Sequence, residues 1–256
     1  TLHQPVPVLS DRVSLVPLSV ASTEAATVLV SDGVLGVRNV LSTASAAAAA
    51  AEVDEALRVA IANVDEESRY LGSVRDRTHR WDLRLHFRGA VKAAVLELVA
   101  AVSPMVAEVI TDEALVWELS CLISDPGAPR QQLHADTKID DCGWLLSIFV
   151  ALQDITSDMG GTVIVPSSHR ASVHTDFKAS CSGAVNNCNG DGDPCVRELD
   201  HDWAMSNGAR HFEGRAGDAV VFDSRVLHCG GANASTARRR MLYVTWRIPF
   251  CEPRGS

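Results

Sequence analysis

The sequence predicts a mainly β fold, an antiparallel sandwich or barrel supported by flanking helices. Two observations lead to this prediction. From about residue 114 the chain carries apolar, β-rich runs of strand length, bounded by Gly, Pro and Asp and not separated by helical patterns. Residues 1–113, in contrast, show helical periodicity. A parallel nucleotide-binding sheet is not expected, because the chain contains no Gly-rich phosphate loop.

Two segments of the first part have the apolar spacing of helices. The segment 45–64, SAAAAAAEVDEALRVAIANV, has Ser42 or Ser45 as its N-terminal cap. The segment 89–103, GAVKAAVLELVAAVS, is expected to end before Pro104, because proline cannot donate a helical hydrogen bond. We expect both helices to be packing elements.

Five strands are expected in the second part of the chain. They are ALVWELSCLIS (114–124), WLLSIFVALQDI (144–155), GTVIVPSS (161–168), DAVVFDSRVLH (218–228) and RMLYVTWRIPF (240–250). With 256 residues and 46% hydrophobic content, the chain can bury one sizeable core. We therefore expect one domain over 1–256, with a mostly helical part (1–113), a β core (114–250) and a loop insertion (176–214).

The composition restricts the partners. A formal net charge of -9 argues against nucleic acid and against an anionic membrane surface, since both would require clustered Lys and Arg. No uninterrupted run of about 18 apolar residues occurs. A soluble, cytoplasmic protein acting on a small molecule is the default expectation, although a start at Thr1 without Met leaves open a lost targeting segment. The oligomeric state is not predicted.

The insertion 176–214 contains two patterns that resemble metal sites. Cys181, Cys188 and Cys195 could join His201 in a zinc site, but their gaps of six residues are wider than those of a zinc knuckle, so a disulfide or free thiols are favoured. Residues 187–198 partly match a calcium loop. That match begins with Asn and contains a proline, so a polar turn is favoured there.

A stronger metal pattern lies in QLHADT (132–137). Side chains in a strand alternate between its two faces, so His134 and Asp136 would project together. His228 ends an apolar strand just before a Gly pair, which permits close approach of a ligand, and it is the best third ligand. Two imidazoles and one carboxylate with open positions form the facial triad that suits non-haem Fe(II) and dioxygen.

Three consecutive arginines follow His228. A dicarboxylate that chelates iron at one end requires a planar, permanently charged partner at its other end, and arginine supplies one. By strand alternation Arg239 faces opposite to Arg238 and Arg240, so one side of this trio points inward. The alternative is a solvated basic edge.

Taken together, these motifs resemble the phytanoyl-CoA dioxygenase family of Fe(II)/2-oxoglutarate-dependent oxygenases. The resemblance rests on PGAPRQQLHAD, LLSIFVALQDITSDMGGTVIVPSSHR, AGDAVVFDSRVLHCGGANAS and RRRMLYVTW, which occur in the order typical of the family. It covers 115–247, about half of the chain. The first half carries no diagnostic motif.

The resemblance implies a double-stranded β-helix (jelly-roll, cupin-like) core and a set of site residues. His134, Asp136 and His228 would be the iron ligands. Arg239, eleven residues after His228, would clamp 2-oxoglutarate, with help from Gln132 and Thr162. The implied activity is oxidation, most simply hydroxylation, of an unactivated C–H bond, with release of succinate and CO2.

Two positions bear on how far the resemblance extends. The family commonly has Gly where this chain has Ser167, which puts the geometry of that turn in question. Related halogenases replace the carboxylate ligand with a small residue, whereas Asp136 is retained here, so hydroxylation is favoured over halogenation.

Other interpretations stay open. In the basic and aromatic stretch RDRTHRWDLRLHF (75–87), Arg77, Arg80 or Arg84 would border the pocket, although a solvated connector is favoured. A cupin-type metal enzyme without 2-oxoglutarate would not need Arg239 at its spacing. A catalytically inactive binding module would be expected to lose a ligand or the arginine, and this chain retains all of them.

Overall fold

The computed structural model describes residues 11–63, 70–74, 76–140, 143, 145–185 and 194–251, without the side chains of 181–185 and 194–197. The helices among these residues are α1 (Leu18–Asp32), α2 (Thr43–Ala62), α3 (Gly89–Val109), α4 (Ala171–Val185) and α5 (Pro194–Ser206), with a short 3-10 helix at Ser157–Met159. The strands are β1 (Leu15–Pro17), β2 (Val34–Arg38), β3 (Arg80–Arg84), β4 (Leu115–Ser124), β5 (Leu145–Ala151), β6 (Thr162–Ile164), β7 (Arg210–His211), β8 (Ala219–Asp223), β9 (His228–Gly230) and β10 (Arg239–Arg247).

The strands form two sheets. The large sheet has the order β1-β2-β8-β5-β10-β4-β3, and all of its neighbouring strands are antiparallel except β1 and β2. The small sheet has the order β7-β6-β9, and an isolated bridge between His134 and His228 extends it beyond β9. The predicted sheet-rich fold with flanking helices is therefore confirmed.

The large sheet separates two apolar layers. On one face, Ile148 of β5 and Val244 of β10 pack with Leu57 of α2 and Leu98 of α3. On the other face, aromatic side chains of β5 and β8 pack with Ile164 of the small sheet. Because side chains alternate along a strand, β10 serves both layers. Its odd-numbered positions from 239 to 245 line the cavity between the sheets.

The first helical segment matches its prediction. α2 begins at Thr43, and the Oγ of Ser42 accepts a hydrogen bond from the Ser45 backbone N–H at 3.2 Å. Ser42 is thus the N-cap, and its extended backbone is typical of that position. Of the two serines that the sequence left open, Ser42 supplies the cap.

The prediction that helix 89–103 ends before Pro104 is wrong. α3 continues through Pro104 to the end of the next turn. An internal proline costs about 3 kcal/mol or more. However, Val102, Met105 and Val106 are buried in the core, and each buried apolar side chain contributes about 1.5–3 kcal/mol. The gain from packing this last turn outweighs the penalty.

α3 is long and apolar enough, by length and composition alone, to cross a membrane. In this structure it packs against α1 and α2 and buries Val91, Val95 and Leu98. This packing is typical of the core helix of a globular protein.

The expectation of a mostly helical part at 1–113 is incomplete. β1, β2 and β3 lie in this part and add three strands to the large sheet. β2 pairs with β8, and β3 covers the outer edge of β4. These strands are at most five residues long, so their alternation is too short to stand out beside the helical periodicity.

The insertion 176–214 is not a loop throughout, because α4 and α5 occupy much of it. Phe177 and Trp203 join these two helices with ring centroids 4.9 Å apart, and the Trp203 indole N–H donates to Asp176 at 3.1 Å. The segment 187–193 of the calcium-loop candidate lies outside the described residues. So do the side chains of Cys181, Cys188 and Cys195, which formed the zinc or disulfide candidate.

Candidate functional site

Three side chains meet where β9 approaches the segment after β4. The backbones of His134 and His228 exchange two hydrogen bonds, of 2.9 Å from His134 N and 2.7 Å from His228 N. The Asp136 carboxylate lies 3.7 Å from the Nε2 of His134 and 3.5 Å from the Nε2 of His228. One ligand atom from each residue lies within 4.8 Å of the other two, so the three can hold a metal ion. The structure thus brings the three predicted ligands together.

The two imidazoles are oriented in the same way. His134 Nδ1 lies 2.8 Å from the carbonyl of Gln132, and His228 Nδ1 lies 2.9 Å from the carbonyl of Val226. A carbonyl can only accept, so Nδ1 carries the proton in each ring. The unprotonated Nε2 atoms then face Asp136, which is the arrangement that metal-binding histidines require.

Arg239 lies in the same cavity as this triad. The cavity has a volume of about 470 Å³. Arg239 is only 4% exposed, and it donates to the Met159 carbonyl at 3.2 Å and to Ser124 Oγ at 2.9 Å. Among the described residues its Nε has no hydrogen-bond partner, and no carboxylate pairs with it. Burial, followed by repulsion from Arg80, lowers the pKa of Arg239 to about 9, so it remains charged at neutral pH. A buried cation without a counter-charge marks an anion site.

The neighbouring arginines face away from the cavity. Arg238 binds Asp125, with 2.5 Å between Nε and Oδ1, and Arg240 binds Asp54, with 2.6 Å between Nη2 and Oδ2. Strand alternation predicted this division between Arg239 and its neighbours.

Arg80 enlarges the basic end of the cavity. It is 2% exposed and lines the cavity, and its Nε donates to Ser124 Oγ at 3.2 Å. Arg80 and Arg239 therefore share one serine hydroxyl. The favoured interpretation of 75–87 as a solvated connector is wrong for Arg80, because β3 places it on the inner face of the sheet; Arg77 and Arg84 are exposed.

The glutamine on the cavity wall is Gln131 rather than the predicted Gln132. Gln131 is 5% exposed, and its Oε1 accepts from the Gly230 backbone N–H at 2.8 Å. Its own N–H donates to Gly230, whereas His134 pairs with His228. The three-residue interval from Gln131 to His134 therefore lies opposite the two-residue interval from Gly230 to His228, as in a β-bulge. The extra residue turns the Gln131 side chain, in place of that of Gln132, toward the cavity. Gln132 offers its carbonyl to His134 and does not line the cavity.

Thr162 and Ser167 lie where the sequence placed them. Thr162 is the first residue of β6, is 6% exposed and lines the cavity. Ser167 has φ 63°, a left-handed conformation that favours glycine. Its backbone N–H donates to the Asp32 carbonyl at 2.6 Å and its Oγ donates to the Ser31 carbonyl at 3.0 Å. The turn is therefore kept without glycine.

Another part of the cavity wall carries an acidic group that was not predicted from the sequence. The Tyr243 hydroxyl lies 3.0 Å from Asp82 Oδ1 and 3.1 Å from Glu118 Oε1. Burial, and then the charge of Glu118, raise the pKa of Asp82 to about 7. Burial likewise raises the pKa of Glu118 and that of Tyr243. The alternation in RWDLR, with Arg80 and Asp82 on one face, was the available signal.

Asp200 of α5 holds the segment that leads to the metal ligands. It is 2% exposed, forms an ion pair with Arg130 and accepts the Leu133 backbone N–H at 2.7 Å. The insertion between β6 and β8 therefore supports the metal site directly.

Comparisons with known proteins agree with this geometry. A model of the family "Phytanoyl-CoA dioxygenase (PhyH)" matches residues 29–241. The chain belongs to the phytanoyl-CoA dioxygenase (PhyH) family. The PhyH match includes both histidines, Asp136 and Arg239, and it extends into the first half of the chain, where the sequence offered no diagnostic motif.

Individual relatives are distant. "Dioxygenase af480" of Aspergillus fumigatus is 25% identical over 148 residues, which span 56% of this chain and 40% of that protein. AviO1 from Streptomyces viridochromogenes Tue57 superimposes with a TM-score of 0.62 and 17% identity, covering 91% of this chain and 97% of its own. The epimerase SnoN, in complex with Fe3+, α-ketoglutarate and nogalamycin RO, gives a TM-score of 0.56 and 16% identity, covering 90% and 84%. At these identities the structural likeness shows a shared fold.

The PhyH family and the His-Asp-His cluster together identify the class of chemistry. The expected cofactors, Fe(II), 2-oxoglutarate and dioxygen, are confirmed at the level of the family. The chain thus belongs to a family of Fe/2-oxoglutarate-dependent enzymes.

Proposed function

We propose that this protein oxidises an unactivated C–H bond of a small molecule, most simply by hydroxylation, with conversion of 2-oxoglutarate to succinate and CO2. His134, Asp136 and His228 hold the iron, and Arg239 and Thr162 bind the cosubstrate. The observation that supports this proposal best is the buried guanidinium of Arg239, which lacks a carboxylate partner among the described residues and shares one cavity with the triad.

The residues divide the task. Bound Fe(II) supplies the oxygen chemistry, while the protein positions the reactants and excludes water. The carbonyls of Gln132 and Val226 hold the two imidazoles with Nε2 directed at the metal position. Arg239 and Ser124 provide donors for the distal carboxylate of 2-oxoglutarate, and Gln131 fixes the adjoining Gly230 backbone.

Alternative functions fit less well. A cupin-type enzyme without 2-oxoglutarate would leave the buried charge of Arg239 without an anionic partner, because no carboxylate pairs with it among the described residues. A binding module would not need Asp136 and two oriented imidazoles close enough together to share one metal ion. Halogenation is disfavoured because Asp136 occupies the position that related halogenases leave open for halide.

The substrate is proposed only as a class. SnoN, a structure of similar fold, is an epimerase that was solved with nogalamycin RO. This neighbour supports a small-molecule substrate, and it shows that other outcomes occur on the same scaffold. We favour hydroxylation as the simplest use of the site and do not extend the thioester in the family name to this chain.

The test is an anaerobic titration of Fe(II) and 2-oxoglutarate, followed by the visible charge-transfer band of the chelate. We expect a band in the wild type, none in Asp136→Ala, and a need for far more cosubstrate in Arg239→Met. Arg240→Met is the matched control, because Arg240 lies on the other face of the same strand and binds Asp54. A wild-type protein that binds Fe(II) but forms no band would refute the cosubstrate assignment.

A positive titration leads to a substrate screen scored by succinate release. Hydroxylation predicts a product heavier by one oxygen atom. A product of unchanged mass would indicate epimerisation, and a loss of two hydrogens would indicate desaturation or ring closure. Mass spectrometry of the product therefore decides the reaction type.

A further inference from the structure

The inner face of the large sheet changes in chemistry from one end to the other. Strand register places Arg239 beside Ser124 and Arg80, which forms the basic end. Six residues further along β10, Thr245 pairs with Glu118 of β4 and with Ser147 of β5. The cavity runs between these two ends.

Two hydroxyls near Glu118 lack hydrogen bonds. Ser147 and Thr245 are 1% and 4% exposed, and both line the cavity. Neither Ser147 Oγ nor Thr245 Oγ1 has a hydrogen-bond partner among the described residues. Buried hydroxyls are nearly always satisfied, so these two neighbouring hydroxyls are placed to hydrogen-bond to a polar group inside the cavity.

The two carboxyl groups of this region compete for one donor. The Tyr243 hydroxyl has one hydrogen, but Asp82 and Glu118 both lie within hydrogen-bond distance of it. One carboxyl oxygen therefore stays without that donor unless a proton is added. We call Asp82, Glu118, Ser147, Tyr243 and Thr245 the polar wall. Its surplus of acceptors calls for a ligand that donates.

A β-bulge places an aromatic ring at the rim of the polar wall. Thr245 pairs with Glu118 and Trp246 pairs with Val116, so Trp117 has no partner across β10. The extra residue changes the direction of the side chains, and Trp117, 44% exposed, lines the cavity next to Glu118. The Arg247 guanidinium lies over this ring, 4.9 Å from its centroid, so Trp117 can offer a substrate its edge or its other face.

We propose that the polar wall recognises the primary substrate through its hydroxyl or ammonium groups, and that Glu118 is a specificity-determining residue. The substrate is then neutral or cationic and rich in hydrogen-bond donors. An anionic substrate is disfavoured, because its charge would meet the carboxyl groups of Asp82 and Glu118 on the cavity wall. This inference rests on the proposed function, since it assigns the basic end of the same cavity to 2-oxoglutarate.

The test uses one sugar ring in three charge states, namely methyl α-glucoside, glucosamine and glucuronate. Binding to the anaerobic Fe(II)/2-oxoglutarate complex is followed by saturation-transfer NMR and by calorimetry. We expect the glucoside and glucosamine to bind, and glucuronate to bind at least tenfold more weakly than glucosamine. Glu118→Gln should weaken glucosamine by about tenfold, as expected for one charge-assisted hydrogen bond.

Further variants separate recognition from folding. In Glu118→Gln, the new side chain can still accept the hydrogen bond from the Tyr243 hydroxyl. The double variant Ser147→Ala/Thr245→Val keeps the shape of the polar wall and removes both hydroxyls. The pair should weaken the neutral glucoside and glucosamine alike. Glu108→Gln, on the exposed side of α3, removes the same charge elsewhere and should change nothing.

The outcomes also separate the two proposals. Glucuronate binding as tightly as glucosamine, no binding of any ring to the wild type, or glucosamine binding unchanged in Glu118→Gln would each overturn the inference. The chelate band is measured in the same samples. A wild type with the band but without sugar binding refutes only the polar wall, whereas loss of the band in the wild type refutes the proposed function.

Discussion

Replacing Arg239 by Met should have opposite effects on the empty and the loaded protein. In the absence of an anion, the guanidinium is charged, buried and without a carboxylate partner among the described residues. Methionine fills similar space and carries no charge. We therefore expect Arg239→Met to stabilise the metal-free, cosubstrate-free protein and to abolish the stabilisation that 2-oxoglutarate provides.

The gain in the free energy of unfolding on replacing Arg239 follows from the lowered pKa of its guanidinium. A fall from 12.5 to about 9 corresponds to about 5 kcal/mol, since one pKa unit is worth about 1.4 kcal/mol. The penalty is complete below pH 9, and it is relieved only as the pH rises from about 9 toward 12.5. Losing the bonds to Met159 and Ser124 costs about 1 kcal/mol each, so the net gain at pH 7.5 is about 3 kcal/mol. For 256 residues this raises the unfolding midpoint by roughly 6 to 12 °C.

In contrast, binding of 2-oxoglutarate should stabilise the wild type and have almost no such effect on Arg239→Met. Removing one partner of a buried charge pair costs about 3–5 kcal/mol, so the Kd for 2-oxoglutarate should rise by about two to four orders of magnitude. At 100 times the wild-type Kd, the cosubstrate stabilises the wild type by about 2.7 kcal/mol and the variant by almost nothing.

The assay is thermal unfolding at pH 7.5, first without metal or cosubstrate and then with anaerobic Fe(II) and 2-oxoglutarate. Arg240→Met is the control, because it removes an outward-facing ion pair with Asp54 and should leave the cosubstrate effect intact. If 2-oxoglutarate stabilises Arg239→Met as strongly as the wild type, Arg239 does not bind it.

Three further predictions concern other parts of the site. Gln131→Leu should raise the Kd for 2-oxoglutarate by about tenfold by freeing the Gly230 backbone, whereas Gln132→Leu should not; both are measured by the chelate band. Asp82→Asn should stabilise the metal-free protein at pH 8 by up to about 4 kcal/mol in urea unfolding, because the folded pKa is raised from 3.8 to about 7 and stability is lost as the pH rises through that window. Asp200→Ala should weaken Fe(II) binding by about 10- to 100-fold in calorimetry, because it releases the chain just before His134.

Each of these predictions has an opposing result. Equal effects of the two glutamine variants would place the cosubstrate contact elsewhere. A decline in stability between pH 4 and 7 that persists unchanged in Asp82→Asn would remove Asp82 as its cause. Asp200→Asn is the control for Asp200→Ala, because asparagine can still accept the hydrogen bond from the Leu133 N–H. An equal loss of Fe(II) affinity in both variants would point to the ion pair with Arg130 instead.

The sequence could supply the residues whose geometry depends on regular strands. The inward direction of Arg239 follows from alternation along β10, and the structure agrees with it. His134 and Asp136 converge as predicted, but the segment has only an isolated bridge at His134 and a bend at Asp136 in place of the expected strand. The alternation of side chains predicted the wrong face wherever a paired segment contains an extra, unpaired residue. Gln131 replaces Gln132 on the cavity wall because three steps face two on β9, and Trp117 reaches the rim because it has no partner on β10.

The remaining misses have a different origin. A proline predicts the end of a helix only where the next turn would bury no side chains, and here Met105 and Val106 of that turn are buried. Arg80 and Asp82 belong to a strand of five residues, which is short for a pattern argument, and their burial depends on pairing with a strand distant in the sequence. Such long-range pairing is not encoded in local periodicity.

The arrangement along β10 explains how one cavity can hold two ligands without competition between them. Arg239 and Thr245 are six residues apart on the same face, which corresponds to about 20 Å along an antiparallel strand. A small dicarboxylate held at Arg239 therefore cannot reach Glu118, and a donor-rich group held at Glu118 cannot displace it. The metal ligands approach from the small sheet across the cavity. A substrate anchored at the polar wall must consequently extend back toward His134 and His228, so the group that is recognised and the C–H bond that is oxidised belong to different parts of the same molecule.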